Sequence, residues 1–292
     1  MGLYIFDAVA MPVHWMYDLS NLKADYGEIK GYVKPKDSFR GSIMNLSNTG
    51  GGGRGSDEKS IIGDVINHGK KKYWVRGGNN HYHLGLQAGE NTLEAQLARL
   101  MVRTMSMSTT GSFSGPDFLK AYAEFMETPG SHNDTYASTA HRDFFKNRVL
   151  GKPLDQCADN DGHNTESIDA LTLTIPLIVK YAGDPTVTRA ELQGMVKDCI
   201  KLTRKTDALD GHAEAWTDLL ASVLEGEDLK EAVEEVGKKY LGTSVAGDVQ
   251  RSRGQDPMVA CYMVSGGELW RETMGICIVH LCYSILSVCS NC

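Results

Sequence analysis

Asp7 stands in the apolar segment Phe6-Asp7-Ala8-Val9-Ala10-Met11-Pro12-Val13-His14-Trp15, where an unpaired carboxylate is expensive to bury. It therefore needs a partner or a task. A carboxylate bonded to backbone at a helix end is one reading; a ligand contact is the other, because His14 and Trp15 follow closely. The densest polar cluster is Asp159-Asn160-Asp161-Gly162-His163-Asn164. As a calcium loop it fails, because its glycine falls fourth instead of sixth and the twelfth place is Ala170. Two readings stay open: a loop in which Asp161 or Asn164 caps the next helix, and an anion site at that helix's N-terminus. A third polar group joins His132-Asn133-Asp134-Thr135 to His141-Arg142, with Arg142 either an anion contact or a surface ion pair. His68, His81 and His83 have neither HExxH nor i,i+4 spacing, so no zinc is assigned. Motifs for a serine hydrolase or a P-loop are missing.

The elements that must hold these residues read as helices from Asn91 onward. Asn91, with Glu94 three residues later, predicts a capped helix with Leu93, Leu97, Leu100 and Met101 on one side. Pro116 predicts a second helix, with Phe118, Tyr122 and Phe125 as its stripe and Pro129-Gly130 as its stop. A third is expected from about Ser138 to Val149. Glu166 to Tyr181 is apolar on most sides, which predicts a central helix kinked at Pro176. Arg189 to Arg204, a helix starting near Asp210-Gly211 and ending at Leu224, and Leu229 to Leu241 closed by Gly242 follow at short intervals. Such connections favour antiparallel neighbours. Tyr26 to Gly89, with four glycines from Gly50 and Gly77-Gly78-Asn79-Asn80, predicts long loops over the helices.

The 292 residues, 41% of them hydrophobic, suffice for a substantial core, and no linker or repeat marks a cut. One domain is the expectation. A net charge of −7 argues against nucleic acid as a partner, and the basic run Lys70-Lys71-Lys72 reads as a solvated loop. Seven cysteines, an odd number, and no secretory signal read as reduced thiols in the cytoplasm. Met274 to Val288 is apolar but shorter than the roughly 20 residues of a membrane span. It contains Gly275, His280 and Ser284, so a buried or terminal helix is expected and no membrane association.

Taken in order, these segments resemble the ADP-ribosylglycohydrolase family, especially its J1-crystallin branch. Asp7 to His14 is similar to the family's opening GDALGxPxE pattern. Gly89-Glu90-Asn91-Thr92-Leu93 with Gln96-Leu97-Ala98-Arg99-Leu100 is similar to the branch's second segment. His132 to Thr135, and Asp161-Gly162-His163-Asn164 through Pro176, also resemble the branch. The resemblance covers residues 1–262, leaving 263–292 as a divergent apolar tail.

The resemblance implies an all-α, compact, single-domain helical globule with long Gly-rich loops. It implies that active members cleave the bond to ADP-ribose with two magnesium ions, which several carboxylates must hold. It also places Asp7, His14, Asn91, Thr92 and Asn164 at the ligand, with Asp7, Thr92 and Asp161 as metal candidates. Here Glu90-Asn91-Thr92-Leu93 replaces a TDDT-like motif, His14 replaces a glutamate, and Ser265-Gly266-Gly267-Glu268-Leu269 replaces a GGDTDT-like motif. Two functions follow. One is a catalytically degenerate scaffold, a pseudoenzyme that binds ADP-ribose or serves as a crystallin-type structural protein. The other is a magnesium-dependent hydrolase of ADP-ribosylated protein with a reorganised site using Glu90, Asp161 and His163. The missing acids favour the first.

Overall fold

The computed structural model describes residues 1–16, 18–39, 60–74, 79–162 and 164–245. Among them the regular structure is helical, joined by turns, with isolated bridges such as Ser38 to Asn80 in place of strands. None of these helices is long and apolar enough to cross a membrane. The Gly50 loop and the tail from 263 onward, with Glu268 and the apolar run 274–288, lie outside the described residues.

The described residues divide into two compact units, residues 1–165 with 201–206, and residues 166–200 with 207–245. Sequence composition marks no linker because the chain passes between the units three times, at short connections.

The first unit holds α1 (Gly2–Ala10), α2 (Leu19–Tyr26), α3 (Leu93–Met107), α4 (Gly115–Glu127) and α5 (Thr139–Val149). α3 buries Leu93, Leu97, Ala98, Met101 and Met105, the i, i+4 stripe of an amphipathic helix, and packs on α4 and α1. α4 begins at Ser114, whose hydroxyl accepts from the Asp117 N–H, and carries proline in its first turn. Tyr122 of α4 meets Phe144 and Phe145 of α5 at 5.1 and 5.3 Å between ring centres, and all three are fully buried. The irregular helical segment Ile61–Val65 packs on α5 through Ile61 and Ile62. Gly63 there has φ of +95°, and an added Cβ would lie 2.6 Å from Lys71 Cβ. Gly63→Ala is therefore expected to cost about 1–3 kcal/mol of stability, read as a lowered denaturation midpoint.

The second unit holds α6 (Ile175–Tyr181), α7 (Arg189–Lys201), α8 (Asp210–Leu224) and α9 (Leu229–Val236). Ile178, Leu192, Val196, Leu209, Ala213 and Trp216 form one core cluster, and Leu219, Val233 and Val236 belong to a second between α8 and α9. Asp218 is held by Lys239, Tyr240 and Gln193 at 2.6, 2.6 and 2.8 Å. The expected kinked helix over Glu166–Tyr181 is instead a 3-10 run, Ile168–Thr174, followed by α6 with Pro176 in its first turn. Proline has no N–H to complete an α-helical bond, so the α-helix starts there.

Candidate functional site

The site is built around the first turn of α3. A helix start leaves its first amides without intrahelical partners and carries partial positive charge. The expected cap from Asn91 and Glu94 does not form. Thr92 is the N-cap residue without a side-chain cap bond, and two distant carboxylates take the amides instead. Asp7 Oδ2 accepts from the Thr92 N–H at 2.8 Å and from Asn91 Nδ2 at 2.9 Å, while its Oδ1 accepts from the Thr92 hydroxyl at 2.6 Å. Asp134 Oδ2 accepts from the Leu93 N–H at 2.8 Å. Glu94 turns away to His141, which also meets the Tyr122 hydroxyl.

Burial raises the Asp7 carboxyl above its usual range despite the bonds from Thr92 and Asn91. Asp134 is 1% exposed. Burial alone would raise it, but the charge and hydrogen bond of His83 and the Leu93 N–H hold it below the usual range. An ionised Asp134 accepts from His83 Nδ1 at 2.8 Å and from the Tyr136 N–H at 3.1 Å. His83 Nε2 faces His14 Nδ1 at 2.6 Å, a hydrogen bond whose donor is set by the tautomers of the two rings. The result is a line from a buried carboxylate through a buried imidazole to the half-buried His14. Asp7 lies close enough to His83 to feel its charge.

His81 fixes this line from behind. Its Nδ1 accepts from the His83 N–H at 3.0 Å and its Nε2 donates to the Pro12 carbonyl at 2.9 Å. Burial pushes His81 down to about 4, so it is neutral at physiological pH. Trp15 stacks on His14 at 4.3 Å, with the edges of Tyr82 and Tyr136 at 4.3 and 5.1 Å. Its φ of 59° is left-handed, uncommon for a bulky residue, and the surrounding rings hold it there.

Asp7, Asn91 and Thr92 are thus bonded to one another, and His14 to His83. Glu90 serves a turn, accepting from the Gln87 N–H at 2.7 Å and from Asn133 Nδ2 at 3.3 Å. Asp161 accepts from the Thr165 N–H and from Asn164 Nδ2 at 3.0 and 2.9 Å, the geometry of a capping loop. His163 lies outside the described residues. Arg142 is buried, its guanidinium 5.0 Å over the Trp74 ring and donating to the Thr139 hydroxyl, so the surface ion pair is not its role. Asp134 and His83 carry the line, a role that residue spacing alone does not reveal. The only available signal was a short polar run in each case, without a periodicity linking residues 51 apart.

The family model of ADP-ribosylglycohydrolase matches residues 1–283. The chain belongs to the ADP-ribosylglycohydrolase family. None of the curated proteins compared with it matches. ADP-ribosylglycohydrolases act on ADP-ribosylated substrates, and the all-helical architecture of this member fits that family. Magnesium does not fit the residues described here. Among them no group of three His, Cys, Asp or Glu side chains is placed to hold a metal. Both Asp7 oxygens already take donors from Asn91 and Thr92. The side chains bonded to Asp7 are the Asn91 amide and the Thr92 hydroxyl.

Proposed function

We propose that this ADP-ribosylglycohydrolase is catalytically degenerate and serves as an ADP-ribose-binding protein. The observation that carries the proposal is the Asp7 carboxylate, which takes three hydrogen bonds from Asn91 and Thr92. Its partners are free ADP-ribose or ADP-ribosylated protein, and a crystallin-type structural role is what remains if neither binds. A cytoplasmic setting is supported by the seven cysteines, an odd number, of which Cys157 and Cys199 are buried free thiols.

Thermal unfolding with and without ADP-ribose, each with and without magnesium, tests this reading. At 100 times its dissociation constant a ligand stabilises the fold by about 2.7 kcal/mol. The expected result is a raised midpoint with ADP-ribose that magnesium leaves unchanged, and its loss in Asp7→Ala. A shift that requires magnesium refutes the degenerate reading. No shift at all leaves the structural role.

The line from Asp134 to His14 favours one second reading, hydrolysis of an ADP-ribosyl bond by an oriented imidazole base. Release of ADP-ribose from a modified protein in the presence of a chelator, lost in His14→Ala, is the result that would establish it.

A further inference from the structure

The basic run also borders a cavity of about 330 Å³ in the first unit, a volume at the lower end of small-molecule sites. Its wall includes Asn67, His68, Lys70, Lys72, His132 and Asn133. The loop is held in shape from both sides. Asn67 and Gly69 on one strand of it, and Gly130 opposite, adopt left-handed backbone with φ of 47°, 76° and 80°. His68 bonds to the Glu127 carbonyl at 3.0 Å, and Lys70 Nζ donates to Asn133 Oδ1 at 3.0 Å.

The charges in this wall are unbalanced. Lys70 and Lys72 bring two ammonium groups. The acid among the lining residues, Asp134, spends its oxygens on His83, Leu93 and Tyr136. Burial pushes His132 down to about 4, so it is a neutral hydrogen-bonding group at physiological pH. Two buried polar atoms of lining residues, Asn67 Oδ1 and His132 Nδ1, have no hydrogen-bond partner among the described residues. The Asn67 amide is oriented by its Nδ2, which donates to the Asp134 and Tyr136 carbonyls at 3.1 and 3.3 Å. Its Oδ1 therefore remains an acceptor. Buried polar groups left in this state call for a partner.

We propose that this cavity binds the phosphate group of a small hydroxylated metabolite. Lys70 and Lys72 take the phosphate as point charges, and the hydroxyls serve the neutral amide and imidazole of Asn67 and His132. The site adjoins the one at the start of α3, with Asp134 common to both, and it stands whether or not ADP-ribose binds there.

The test is thermal unfolding of the full chain against inorganic phosphate and glycerol 3-phosphate, with sodium chloride holding ionic strength constant. Both probes are expected to raise the midpoint, glycerol 3-phosphate at concentrations at least about tenfold lower because of its hydroxyls. The double variant K70Q/K72Q should weaken both by about tenfold or more. Both lysines sit at the rim and neither is part of the core, so this variant is expected to fold, and its midpoint without ligand checks that it does. No shift with either probe overturns the proposal, as does an equal shift in the double variant. Competition by ADP-ribose against phosphate also overturns it, because the anion would then belong to the other site.

Discussion

Asp134→Ala is expected to lower the free energy of unfolding by about 3–5 kcal/mol, the range for removing one partner of a buried charged pair. The loss has two parts. His83 and the Leu93 and Tyr136 amides, now bonded at 2.8, 2.8 and 3.1 Å, would be left in a site where water does not reach. The positive end of α3 would also lose a compensating charge. Urea denaturation followed by circular dichroism measures the difference. Asp134→Asn separates the parts, since its amide oxygen keeps one acceptor while the charge is gone, and it should fall between alanine and the native residue. A loss under about 1 kcal/mol for alanine would mean that Asp134 is dispensable to the fold, contrary to its burial.

Acid should unfold this protein well before its carboxylates titrate. His81, His132 and His212 each drop from 6.5 to about 4, in every case because burial disfavours the charged ring. The unfolded chain therefore takes up protons that the folded chain refuses. Stability is full above pH 6.5 and is lost progressively as pH falls toward 4, by about 2 kcal/mol at pH 5 for each histidine. Asp7, raised by its burial, works in the opposite direction at lower pH. Three such groups together approach the whole stability of an ordinary domain. Denaturant midpoints between pH 7 and pH 5 provide the measurement, and His212→Gln should reduce the loss by about a third. A stability that stays level across that interval would show these rings to be protonated in the folded state.

Most helices were legible because each is written in local terms. α4 follows from Pro116 and the stop at Pro129-Gly130, and α5, α7, α8 and α9 fall within a few residues of their expected ends. The continuation of α9 into Gly237–Leu241 stops at Gly242, whose φ of 66° is the left-handed conformation glycine favours. Asp7 was legible as a carboxylate in need of a partner, because its apolar neighbours say that it is buried. Its partner was not, since Thr92 lies 85 residues away. The capping pattern at Asn91 and Glu94 misled for the same reason: a local rule places the cap nearby, and here two remote carboxylates supply it. Pro176 was legible as a disruption but not as the start of an α-helix after a 3-10 run, because both conformations satisfy an apolar stretch.

The start of α3 has a consequence for how the chain folds. Helix ends ordinarily fray, their first amides opening to solvent while the rest of the molecule stays closed. Here the Thr92 amide is closed by a residue 85 positions earlier, and the Leu93 amide by one 41 positions later. That turn cannot form until both loops have closed, with the entropy each closure costs. Once formed, it cannot open without releasing the N-terminal helix and the Asp134 loop as well. The end of a helix, normally the first part of a protein to come undone, is in this chain tied to the last.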